Sequence, residues 1–285
     1  MSESIENALG ALLLYGVADF VYKRSAAAGA EPHQFLMVQT WCFTPCALLC
    51  GLATGTLAFN AAALWGAVAG VCAVVGYYNF AYSLRSGSVS TNATVFRLSF
   101  AITVALAVLV LREPLTTPKL AGLALVVVAA WLLLAAPGAG TDAARRESRS
   151  SLARVLLATV AIGILSFTYK VGLRAGATPI ALVVTQGFVA VTLSTAFTAY
   201  VDRRIRPSRP AWSHAPVAAV LLVAAFIFLA RGLESGEASV VVPVAQMGFV
   251  VTALLGFLLL REPFTARKGA GLAAALAALS SLAHG

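Results

Sequence analysis

Long apolar runs separated by short polar connections dominate the chain. Ten such runs stand out: 8–28, 34–57, 63–84, 88–111, 117–136, 152–174, 178–200, 215–233, 237–260 and 266–283. Each is close to the ~20 residues that a helix needs to cross about 30 Å of hydrocarbon. The runs are continuous, whereas a barrel strand would alternate inward and outward over about ten residues. The pattern therefore predicts an all-α integral membrane protein with ten transmembrane helices. The first run is too long, and followed by too many others, to be a cleaved signal peptide.

Composition agrees with the bilayer as solvent. Of 285 residues, 60% are hydrophobic and 11% charged, with a mean hydropathy of +0.89. A soluble domain runs nearer half apolar and about a quarter charged. The net charge of +9 does not point to nucleic acid, because the basic residues lie in the connections between runs. That is where a membrane protein keeps them. Cys42, Cys46 and Cys50 recur every four residues on one stripe, with Cys72 further on. No His or carboxylate accompanies them, so they are expected to be packing residues without a disulfide or a soft metal.

The chain repeats itself. Shifting residues 16–39 by 147 matches Gly16 with Gly163, Tyr22-Lys23 with Tyr169-Lys170, Pro32 with Pro179 and Gln39 with Gln186. Shifting residues 84–123 by 149 matches Ser86-Gly87 with Ser235-Gly236, Arg112-Glu113-Pro114 with Arg261-Glu262-Pro263, and Lys119 with Lys268. Apolar matches arise easily by chance, but these polar ones in order do not. The expected units are residues 1–136 and 152–285, joined by a polar linker over 137–151. Five runs per half is an odd number, so two like halves must cross the bilayer in opposite senses. Inverted repeats of this kind put the substrate site of a secondary transporter near the midplane, between the halves.

The duplicated Glu-Pro-(Leu/Phe)-Thr at 113–116 and 262–265, each followed by Gly-Leu-Ala in the next run, resembles the EamA family of the drug/metabolite transporter superfamily. The resemblance spans nearly the whole chain. It implies transport of small metabolites, often export of amino acids or related compounds, without nucleotide hydrolysis. Orientation stays open. Fourteen Lys and Arg fall on the side of the odd-numbered connections and five on the other, with Arg97 inside a run. That bias puts both termini outside, whereas members of the family usually keep them in the cytoplasm; the charge count is followed here.

Polar residues inside the runs are the candidate site, since a mid-membrane charge costs at least ~2.5 kcal/mol. Asp19 sits mid-run with Lys23 one turn on, so it is either half of an ion pair or a titratable group for a proton or a substrate ammonium. Arg97 lies deep in the fourth run, with Gln246 at its place in the other half. Its guanidinium must find Asp19, carbonyls or a substrate carboxylate. Gln39 and Gln186 occupy equivalent positions, as helix-to-helix hydrogen bonds or as cavity lining. Tyr77, Tyr78 and Asn79, with Tyr82 and Trp41 nearby, are read either as packing or as an aromatic cavity wall. The Arg-Glu-Pro pair reads as a loop lock, and Glu234 and Glu237 as solvated. His33, His214 and His284 are read as having no carboxylate company.

These features predict a multi-pass protein of the cell membrane that moves small organic molecules by alternating access. The expected cargo is amino-acid-like or amphipathic and the expected direction export. The expected partners are a small-molecule substrate and the lipid bilayer, with no cofactor and no nucleic acid; proton coupling through Asp19 and facilitated diffusion are both open. A multidrug exporter of hydrophobic cations and, more distantly, an intramembrane enzyme are the alternatives. Neither a phosphate-binding glycine loop nor a nucleophile–base set supports ATP use or catalysis.

Overall fold

The computed structural model describes residues 2–86, 95–134, 142–260 and 265–284. Among these, every regular element is helical. The helices are α1 (Glu3–Ala27), α2 (Pro32–Thr54), α3 (Trp65–Ser86), α4 (Ser99–Leu111), α5 (Thr117–Leu134), α6 (Asp142–Arg174), α7 (Pro179–Asp202), α8 (Arg209–Ser235), α9 (Ala238–Gln246), α10 (Phe249–Leu260) and α11 (Ala266–Ala283). A 3₁₀ turn at Ala61–Leu64 leads into α3, with the Asn60 side chain capping it at the Ala63 N–H. Pro starts α2, α7 and α8, where its missing N–H costs nothing.

Among the described residues, seven helical segments are long and apolar enough to cross a membrane. Two shorter apolar segments, Val95–Leu111 and Thr117–Leu132, accompany them. Several expected boundaries shift. Residues 142–150, read as polar linker, continue α6 upstream, because Ala, Arg and Glu are good helix formers without any burial. α8 begins at Arg209 and runs through Pro216. The run expected over 237–260 breaks into α9 and α10, with Met247 and Gly248 between them.

The two halves interlock rather than stand apart. α1 packs along α8 of the other half, and its repeat counterpart α6 packs along α3. α2 lies against its own counterpart α7, and α5 against α11. Both self-paired sets are antiparallel: Thr40 meets Ser194 while Thr44 meets Gly187, and Gly122 meets Leu282 while Trp131 meets Arg267. Equivalent helices thus run in opposite directions about a dyad that crosses the helices, the inversion expected of the two halves.

Polar contacts obey the same exchange. Thr103 donates to the Gly163 carbonyl at 2.9 Å, and Thr252 donates to the Gly16 carbonyl at 2.9 Å. Both glycines are needed for that approach. A Cβ on Gly16 would lie 2.4 Å from the Gly248 oxygen, and one on Gly163 would lie 2.7 Å from the Ser99 oxygen. Backbones pressed this closely supply the dispersion contact that holds helices together in lipid, where burial from water does not drive association.

Candidate functional site

The dyad passes through a buried polar and aromatic centre. Its floor is made at helix breaks. The Met247 N–H bonds the Val244 carbonyl at 3.1 Å and the Val250 N–H bonds Met247 at 2.9 Å, a tight turn between α9 and α10. The same turn precedes α4, with the Leu98 N–H on Val95 at 3.0 Å and the Ala101 N–H on Leu98 at 2.9 Å. Gln246 and Arg97 sit at these two breaks. Equivalent positions therefore face one another across the axis, and the Arg97 guanidinium donates to Gln246 Oε1 at 3.2 Å.

Arg97 also forms an ion pair with Asp19 of α1. The Arg97 side chain is buried, while Asp19 retains about a fifth of its surface (21%). Lys23, one of the partners considered for Asp19, is exposed near the end of α1.

Above this pair, Tyr22 hydrogen-bonds Gln39, and Tyr169 donates to Gln186 Oε1 at 2.5 Å. The Tyr77 ring lies 6.4 Å from Phe226, its counterpart in the other half. Tyr22 approaches Tyr77 at 6.0 Å, and Tyr15 and Tyr169 approach Phe226 at 5.7 and 5.9 Å. Gln39, Gln186, Tyr77 and Phe226 line a cavity with only about 20 Å³ of free space, room for little more than a water. The centre is closed.

Of the residues singled out in the sequence, Asp19, Arg97, Gln246, Gln39, Gln186 and Tyr77 come together at the dyad. Tyr78 and Asn79 do not. They point to the other side of α3, where Arg154 donates to Asn79 Oδ1 at 3.3 Å and lies 4.0 Å over the Tyr82 ring. Tyr78 packs edge-on to Phe197 at 4.9 Å. Adjacent residues on a helix differ by about 100°, so Tyr77 and Tyr78 cannot share one wall. Trp41 likewise turns away, donating to Thr195 Oγ1 at 2.8 Å. His33 does keep carboxylate company, since its Nε2 lies 2.9 Å from Asp202 Oδ1 and ties α2 to α7. Glu237, expected to be solvated, pairs with Lys119.

Tyr15, Tyr22, Tyr169 and Phe226 were not foreseen at the site. For Tyr22 and Tyr169 the signal was present: each precedes its glutamine by 17 residues in both halves. Among the described residues no cluster of His, Cys, Asp and Glu could hold a metal ion.

An all-helical chain whose long apolar helices enclose charged and amide groups on a dyad between two inverted halves is a multi-pass membrane protein of the transporter type. The EamA-like transporter family matches it twice, over residues 5–135 and 150–283. The chain belongs to that family, within the drug/metabolite transporter superfamily. Its members are transporters rather than enzymes, so a small-molecule substrate and a lipid environment come with membership. No curated protein matches the chain. A solved structure titled only "Crystal structure of protein" superposes with a TM-score of 0.82 at 16% identity, over 99% of this chain and 98% of that one. At that identity the likeness concerns the fold alone.

Proposed function

We propose that the chain is a secondary transporter that exports amino-acid-like or amphipathic metabolites across the cell membrane by alternating access. Ten spans, five in each of residues 1–136 and 152–285 with residues 137–151 as the connector, make up the two moving halves. The observation that carries this reading is the Asp19–Arg97 ion pair, bridged to Gln246 at the two helix breaks where the halves meet. A fixed anion beside a fixed cation can exchange partners with a zwitterion. The substrate carboxylate takes the Arg97 fork and its ammonium takes Asp19. Tyr22, Tyr77 and Phe226 would receive the apolar side chain, and the amides of Gln39 and Gln186 its polar edges. Tyr78 and Asn79, turned away in this closed state, are outside the proposed path.

Protonation of Asp19 would break the pair and free Arg97 for substrate, which supplies a route to proton coupling. A multidrug exporter of hydrophobic cations is the second reading, favoured by the aromatic wall of Tyr15, Tyr22 and Tyr77 beside a carboxylate. Arg97 at the same carboxylate argues against it. Reconstitution in liposomes with labelled amino acids and lipophilic cations separates the two. Amino-acid flux that responds to a pH gradient, and loses that response in Asp19→Asn, is the expected result. Flux of cations alone would replace the first reading with the second, and flux of neither would remove both.

A further inference from the structure

The closed centre is sealed on one side by groups that the central site does not use. The turn between α8 and α9 is held from three directions. The Glu113 carboxylate accepts the Ala238 N–H at 3.0 Å and the Ser239 N–H at 2.9 Å, capping the start of α9. Lys170 donates to the Leu233 and Gly236 carbonyls, both at 2.6 Å, capping the end of α8. Lys119 donates to the Pro114 carbonyl at 3.0 Å and pairs with Glu237. Glu113, Lys119 and Lys170 are buried, at 4, 2 and 7% exposure.

Such groups are costly to bury; Glu113 and Lys170 are satisfied by backbone at a helix end where the dipole has the matching sign, and Lys119 by a loop carbonyl and the Glu237 carboxylate. Ordinary turns need no such apparatus. The chain also takes an unfavourable conformation to build it: Arg112 adopts a left-handed φ of 56°, which aims Glu113 across to the other half. α1 closes the same spot, because Ser4 packs where a Cβ on Gly236 would lie, 2.5 Å away.

We infer that Glu113, Lys119 and Lys170, gripping the α8–α9 turn, form the gate that closes the central site toward the surface on which the chain termini lie. The inference rests on the transporter reading and adds to it the residues that must let go. Glu113 and Lys119 belong to the first half and the gripped turn to the second, so relative motion of the halves pulls directly on these bonds. Opening therefore requires the two caps on Ala238 and Ser239 to break together.

The gate can be tested without any substrate. In a background with Cys42, Cys46, Cys50 and Cys72 replaced by Ser, Ser239→Cys reports access to the turn when a membrane-impermeant maleimide is added from the termini side. Slow labelling is expected in this parent. Glu113→Gln and Lys170→Met should each raise the rate at least about tenfold, since each loses charged hydrogen bonds. Glu234→Gln, exposed in the same turn, should leave it unchanged. Lys119→Met supplies a third gate variant should either of the others fail to fold, and faster amide exchange at Ala238 and Ser239 gives a readout that needs no label. Rapid labelling of the parent, or parent-like rates in every folded gate variant, would overturn the gate. Neither outcome bears on whether the protein transports, which flux measurements decide separately.

Discussion

At the scale of residues, the centre is built from a broken symmetry. Where the first half has Asp19 and Arg97, the second has Ser166 and Gln246, so one ion pair replaces two neutral positions. Removing one member of a buried pair strands the other charge, at about 3–5 kcal/mol. Asp19→Asn and Arg97→Gln should each lower the unfolding midpoint in detergent by several degrees. The double variant Asp19→Ser/Arg97→Gln, which copies the second half onto the first, should recover most of that loss while abolishing flux. A double variant no more stable than the singles would show that the pair is not the coupled unit described here.

The paired tyrosines are a milder case. Tyr22→Phe and Tyr169→Phe should each cost about 0.6–1.7 kcal/mol, the range for a hydrogen bond between membrane helices. Similar losses in the two would reflect equivalent partners, Gln39 and Gln186. These amides were legible in the sequence because a membrane Gln is rare and this one recurs. The tyrosines were less so, because a Tyr near a helix end more often marks the interface.

At the scale of elements, the decisive features are the two breaks before α4 and between α9 and α10. They put Arg97 and Gln246 at turns where the helical ladder is interrupted, and free peptide dipoles near a proposed site. Pro243 and Gly248 hinted at the second break. Nothing comparable marks the first, since Ser99 stands where Gly248 does. The close crossings at Gly16 and Gly163 hold these breaks against α1 and α6. Gly16→Ala and Gly163→Ala should each destabilise the protein by about 1–3 kcal/mol through overpacking, measured by thermal unfolding in detergent. Unchanged midpoints would mean that the crossings relax freely. Tyr77 and Tyr78 carry the same lesson from the other side: side-chain type was readable, but facing was decided by the rotation of α3.

At the scale of the whole molecule, the antiparallel pairing of α2 with α7 and of α5 with α11 fixes both termini at one end, beside the Glu113 gate. The lysine and arginine excess lies at the opposite end. Reporters fused to the N- and C-termini should therefore both respond as extracytoplasmic. Cytoplasmic signals from both would mean that packing rather than charge sets the orientation, and would turn the proposed gate toward the cytoplasm. Opposite signals from the two would contradict the fold.

What the sequence determined by itself was the solvent, the helical class and the duplication. Hydropathy follows from residue type alone, and polar residues matching in order mark the copy, whose inversion the antiparallel pairing of α2 with α7 then displays. It also marked Asp19, Arg97 and the two glutamines as misfits in hydrocarbon. Which misfit meets which was decided only by tertiary structure. Asp19 meets Arg97, 78 positions away, and Glu113 reaches across to cap a helix of the other half. Partner choice depends on helix rotation and crossing, which arise from packing between segments far apart in the chain and leave no trace in local pattern.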